Sequence, residues 1–174
     1  METMASSSPN DLTLQKKSLF CPVRKLWVAA TPEEQVRQAL LQKMTHEGGY
    51  PLSQIAVEKE MRQMPHLALP QGTSAYGKIP SRRADVVFFG KDIHPQHALY
   101  PLLVIECKAI KLSQAVINQV VGYNYYLQAY FIAVANSQEI RTGWREKDLP
   151  DYRFVHTLPS CQQLMQAVND SMTG

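Results

Sequence analysis

Two short apolar runs, each interrupted by charge, constrain this chain more than any other feature. The first is Ala84-Asp85-Val86-Val87-Phe88-Phe89 and the second is Leu102-Leu103-Val104-Ile105-Glu106-Cys107-Lys108. Their length and their Val, Ile, Leu and Phe content mark them as strands, bounded by Gly90, Lys91 and Asp92 after the first and by Pro101 before the second. Apolar residues fall on both faces, so the strands belong in a sheet covered on both sides. A carboxylate in such a run is costly to bury without a partner. Alternation along a strand sends Glu106 and Lys108 the same way. If the runs are neighbours, Asp85 lies beside them, and two carboxylates and an ammonium at one sheet edge have the chemistry to hold a divalent cation and a water. An ordinary ion pair between Asp85 and Arg83, with Glu106 and Lys108 on a solvated strand end, is the structural alternative.

The surrounding chain reads as a single α/β domain. Its 174 residues suffice for a sizeable core, and the 45% apolar and 19% charged content is that of a globular protein. No apolar run is long enough to span a bilayer. The start, Met1-Glu2-Thr3-Met4-Ala5, has neither the basic nor the apolar part of a signal peptide, which makes the cytoplasm the expected location. The net charge of +3 permits nucleic-acid binding without arguing for it, and Lys16-Lys17, Arg24-Lys25 and Arg82-Arg83 are scattered pairs of the kind usually solvated. Cys21, Cys107 and Cys161 show neither zinc-ligand nor disulfide spacing, and Cys107 is expected to pack as a small apolar residue opposite Glu106.

Taken in order, residues 1–18 read as a mobile polar tail. A strand is expected from Val23 to Val28. A helix follows, with Thr31 as N-cap, Pro32 in first position and Glu34 as capping-box partner, a stripe of Val36, Ala39, Leu40 and Met44, and an end at Gly48-Gly49. Glu33 then falls on the stripe, either for a functional reason or as a wet first-turn acid favoured by the helix dipole. Ile55–Met61 alternates like a strand, although so short a run also suits a helix. Residues 62–81 read as a long loop. Within it, Gly72 to Lys78 has phosphate-loop spacing, but Ile79 and Pro80 follow where a hydroxyl residue and a helix are required, so ATP binding is rejected.

Ser113 is placed to cap a helix running to about Tyr130. Its Gln119 and Tyr123, four residues apart, share a face; the structural alternative is a surface glutamine and a packing tyrosine. Tyr130–Ala135 is another buried strand, and strand–helix–strand implies a parallel pair. Residues 144–151 read as a loop, Tyr152–His156 as a short edge strand, and Ser160 to about Met172 as a closing helix with Leu164, Met165 and Val168 inward. The histidines show no paired ligand spacing, and His94 and His97 are expected in an exposed tip between the central strands.

Five phrases in this order, Thr31–Gln38, Ile55–Glu60, Arg82–Val87, Leu103–Ala109 and Gln119–Tyr123, resemble the PD-(D/E)XK nuclease superfamily, and more narrowly the N-terminal nuclease domain of type I restriction enzyme motor subunits. The resemblance implies a restriction-endonuclease-like fold, a central mixed sheet of four to five strands flanked by helices in the order αβββαβ. It implies a nuclease-like domain over residues 19–145, with residues 146–174 packed on it. Asp85 and Glu106 would ligate magnesium or manganese, with the Cys107 carbonyl a further ligand and Glu33 reaching the metal through water. Lys108 would orient or help deprotonate the attacking water. Gln119 and Tyr123 would position Lys108 or the nucleic-acid backbone. The implied reaction is phosphodiester hydrolysis in DNA. RNA as substrate and a non-catalytic binding or assembly module are the alternatives, and a homodimer would let the nuclease cut both strands. Ala84 stands where the name motif has proline. With no translocase after Gly174, the restriction-modification role is not expected to carry over.

Overall fold

The computed structural model describes residues 17–67, 79–146 and 149–173. Strands β1 (Ser18–Cys21) and β2 (Leu26–Ala29) form an antiparallel hairpin. Of the strand expected over Val23–Val28, residues 26–28 are extended in β2 and residues 23–25 are not: the chain reverses between Cys21 and Leu26, with Lys25 in the left-handed region at φ 55°. Ser18 belongs to β1 rather than to a tail, while residues 1–16 and the rejected phosphate loop at 72–78 lie outside the described residues.

Helix α1 (Pro32–His46) starts as its sequence dictates. Thr31 is extended and its hydroxyl accepts the Glu34 N–H at 3.2 Å, and Pro32 opens the first turn. Strand β3 (Ile55–Glu60) follows, then two single turns of tighter helix at Met61–Gln63 and Pro65–Leu67. Strands β4 (Arg83–His94) and β5 (His97–Cys107) make a long antiparallel hairpin. Gly90, Lys91, Asp92 and Pro101 lie within these strands instead of bounding them. The register shifts between Phe88 and Phe89, and Asp92 takes φ 55°, so the ladder absorbs residues that ordinarily end a strand.

Helix α2 (Gln114–Leu127) ends where Gln128 turns left-handed at φ 54°. Ser113 occupies its N-cap, but without the side-chain hydrogen bond that its hydroxyl allows. Strands β6 (Phe131–Ala135), β7 (Ile140–Arg145) and β8 (Tyr152–Val155) precede helix α3 (Cys161–Thr173). The six-stranded sheet runs β3-β4-β5-β6-β7-β8, one strand more than the upper expectation, and β5–β6 is its parallel pair. The unexpected strand is β7, which claims Trp144 and Arg145 from the anticipated loop. Gly143 pairs with Phe154, whose ring fills the space over the missing side chain.

Both sheet faces are covered, as the continuous apolar runs require. One core packs Leu41, Met44, Val86, Phe88, Ile105 and Cys107 with Leu164 and Val168 of α3. The other packs Val87, Val104, Val116, Val120 and Leu127 beneath α2. Met165 packs on the first core in part, and Ala39 is exposed instead of inward. Among the described residues, no helix is long and apolar enough to cross a membrane.

Candidate active site

The hairpin geometry brings the charged residues together at one end of the sheet. Val86 of β4 pairs with Ile105 of β5, so Asp85, one residue earlier, and Glu106 and Cys107, one and two residues later, meet at the same strand ends. The Asp85 Oδ2 accepts the Cys107 N–H at 2.8 Å. The Lys108 ammonium lies 2.8 Å from Glu106 Oε1, confirming that the two side chains point the same way. Lys108 follows the last residue of β5, and its own N–H donates to the Ala135 carbonyl at 2.9 Å, which anchors the backbone beneath it.

Helix α2 supplies the next contact. Gln119 Nε2 donates to Glu106 Oε1 and to the Tyr123 hydroxyl, each at 2.7 Å. Gln119 thus reaches Glu106 and not Lys108. Tyr123 is buried, and the guanidinium carbon of Arg82 sits 5.8 Å from its ring centre, a cation held at the rim.

These neighbours set the protonation of the site. Burial first, then the Asp85 charge, push the Glu106 carboxyl up to about 6 against the pull of Lys108. Burial alone would lower the Lys108 ammonium, but the Glu106 hydrogen bond and charge, with Glu33 and Asp85, raise it instead. Two acids crowding each other at a half-open site are an arrangement that a cation relieves. Hard oxygen donors of this kind suit magnesium, which keeps much of its water. Among the described residues, no three His, Cys, Asp or Glu side chains are grouped to hold a metal. The Cys107 thiol is buried among apolar side chains and its pKa is raised by that burial.

The raised Glu106 pKa has a thermodynamic sign. The folded state holds this proton more tightly than the unfolded state does, so the contribution favours folding at low pH. It is lost as pH rises from near 4.5 through about 6, about 2 kcal/mol in all. In chelator, the stability of the wild-type protein relative to Glu106→Gln is expected to fall by that amount between pH 4.5 and 7, measured by urea denaturation. A difference independent of pH would show that Glu106 titrates normally.

Of the two readings of Glu33 the wet first-turn acid holds, while Glu34 is the buried carboxylate instead of the capping-box partner. Glu33 is exposed, although close enough to Glu106 and Lys108 to shift both electrostatically. Glu34 is 5% exposed, and its carboxylate bonds Arg24, Arg37 and Gln38 instead of closing a capping box. The Thr31 N–H goes to the Ala29 carbonyl. Arg24, Arg37 and Glu58 were not recognisable as site residues from their spacing alone. The available signal is that Glu34, Arg37, Leu41 and Met44 recur at helical spacing on one face, all buried.

The family model of the type I restriction enzyme R protein N terminus matches residues 32–159. The chain belongs to this family. No curated protein and no solved structure matches it. The R protein N-terminal match runs from the first turn of α1 past the end of β8, so Glu33, Asp85, Glu106, Lys108, Gln119 and Tyr123 all fall within it. The β1–β2 hairpin lies before it and α3 after it.

The histidines lie away from these strand ends. The tip between β4 and β5 is the exposed turn expected, at Pro95 and Gln96, but its two histidines are partly covered: His94 stacks on Tyr100 with ring centres 4.3 Å apart, and His97 and His66 pack around the same ring. Burial lowers the His66 imidazole to about 4 and keeps it neutral, with Nε2 bonded to the Leu127 carbonyl at 2.8 Å.

Proposed function

We propose that this domain is a magnesium-dependent deoxyribonuclease on a restriction-endonuclease-like fold, hydrolysing phosphodiester bonds in an intracellular setting. The observation that carries the reading is the junction at Glu106, where one carboxylate is held by Lys108 and Gln119 and crowded by Asp85. Asp85 and Glu106 would hold the cation, with the Cys107 carbonyl as a third oxygen and Glu33 through water. A bound magnesium supplies Lewis acidity at the phosphate and a water of lowered pKa. Gln119, braced by Tyr123, keeps Glu106 turned into the site. Lys108 is held in its charged form by its neighbours, so its role is to stabilise negative charge developing on the phosphate and to orient the water, with base chemistry left to other groups. Manganese substitutes for magnesium in the same oxygen site.

One contact favours a second reading, a non-catalytic module that binds nucleic acid or assembles with another subunit. The Asp85 Oδ1 is already paired with the Arg37 guanidinium at 2.9 Å. A cleavage assay separates the two. With magnesium or manganese, the wild-type protein is expected to nick plasmid DNA, and Asp85→Asn to reduce this to background. RNA run in parallel reports the substrate class. Binding without cleavage, unchanged in Asp85→Asn, selects the non-catalytic module.

A further inference from the structure

Behind Asp85 lies a closed ring of charge. Arg37 of α1 bonds Glu34 and, at 3.2 Å, Glu58 of β3; Arg24, from the turn of the β1–β2 hairpin, bonds Glu34 and, at 3.0 Å, Glu58. Each carboxylate divides its two oxygens between the two guanidiniums. The second arm of Arg37 leaves the ring and ends on Asp85.

This arrangement is expensive. Glu34 and Arg37 are 5% and 4% exposed, and the Nε atoms of Arg24 and Arg37 are buried without a hydrogen-bond partner among the described residues. Glu58 sits at φ 49° inside a strand, a conformation that a non-glycine residue adopts at a cost. Well-packed apolar side chains would stabilise such a position at least as well. The ring therefore calls for an account other than stability.

Electrostatics provides one. A lone guanidinium against a cation ligand would orient the carboxylate and also repel the cation. Here the two arginines are matched by two glutamates, so the ring as a whole is neutral. We propose that Arg37 is a positioning residue for Asp85, and that Arg24, Glu34 and Glu58 cancel its charge so that Asp85 is oriented without opposing a divalent cation. Arg24 comes from the turn of the β1–β2 hairpin, which precedes the residues that the family model matches. The proposal rests on the cation-binding reading of Asp85.

The test is a charge-balance rescue, read by manganese titration of the full chain. Glu58 is partly exposed, at 38% for its side chain, and Glu58→Gln keeps its shape. That variant leaves a net positive ring and is expected to bind manganese about tenfold more weakly. Removing a second member, in Arg24→Gln/Glu58→Gln, restores neutrality and is expected to return affinity to within about twofold of wild type. A purely structural network predicts the reverse, with the double variant worse than the single. That result, or Glu58→Gln binding as wild type does, would overturn the proposal. Wild-type protein that takes up no manganese would overturn the cation reading of the site itself, and this proposal with it.

Discussion

Lys108→Met is expected to lower DNA cleavage by about 10²–10³-fold, the usual cost of removing one positioned charge from a reacting phosphate or carbonyl. The geometry makes this change cleaner than most. Lys108 lies just past the end of β5, its backbone held by Ala135, and its side chain is 20% exposed with the ammonium on Glu106 Oε1. Methionine has a similar length and leaves the backbone bond intact, so the fold should persist. In the metal-free protein Glu106 loses the charge that opposes its protonation, and its carboxyl should move further upward. A cation held by Glu106, as proposed, would take over that role. Cleavage should therefore fall far more than manganese affinity does, and both are measurable on one preparation. A variant that cuts at the wild-type rate would remove Lys108 from the chemistry.

Glu34→Ala is expected to destabilise the domain by about 3–5 kcal/mol, while Glu33→Ala costs less than about 1 kcal/mol. The two residues are neighbours in one helical turn with the same side chain, so the contrast isolates environment. Glu34 is buried between two arginines, and its removal leaves buried positive charge short of its partner. Glu33 is exposed and loses only the favourable field of the helix start. Urea denaturation of the two variants gives the difference directly. Equal losses would mean that the ring is wet and contributes little to folding. The functional order is expected to differ, because Glu33 lies within electrostatic reach of Glu106 and Lys108.

What the sequence determined by itself was the set of elements with strong local signals. Thr31-Pro32 opens α1 because an extended hydroxyl residue and a proline suit a helix start wherever it lies. The runs of β4, β5 and β6, rich in Val, Ile, Leu and Phe, are strands because short continuous apolar runs of this kind fit a covered sheet. The pairing of Glu106 with Lys108 follows from alternation alone. Strand β7 was illegible, since Ile140–Arg145 mixes charge, threonine and glycine and becomes a strand only between β6 and β8.

The choice between Glu33 and Glu34 was the tertiary structure's to make. Periodicity drawn through Val36 and Leu40 selects Glu33; the packed face keeps Val36 and Leu40 but extends to Arg37 and Leu41, which brings in Glu34 and leaves Glu33 outside. Local spacing fixes which residues share a helix face, but not which face turns inward when charged side chains lie on it. That depends on partners from β1–β2, β3 and β4, and a buried charge is affordable only once those distant groups have arrived.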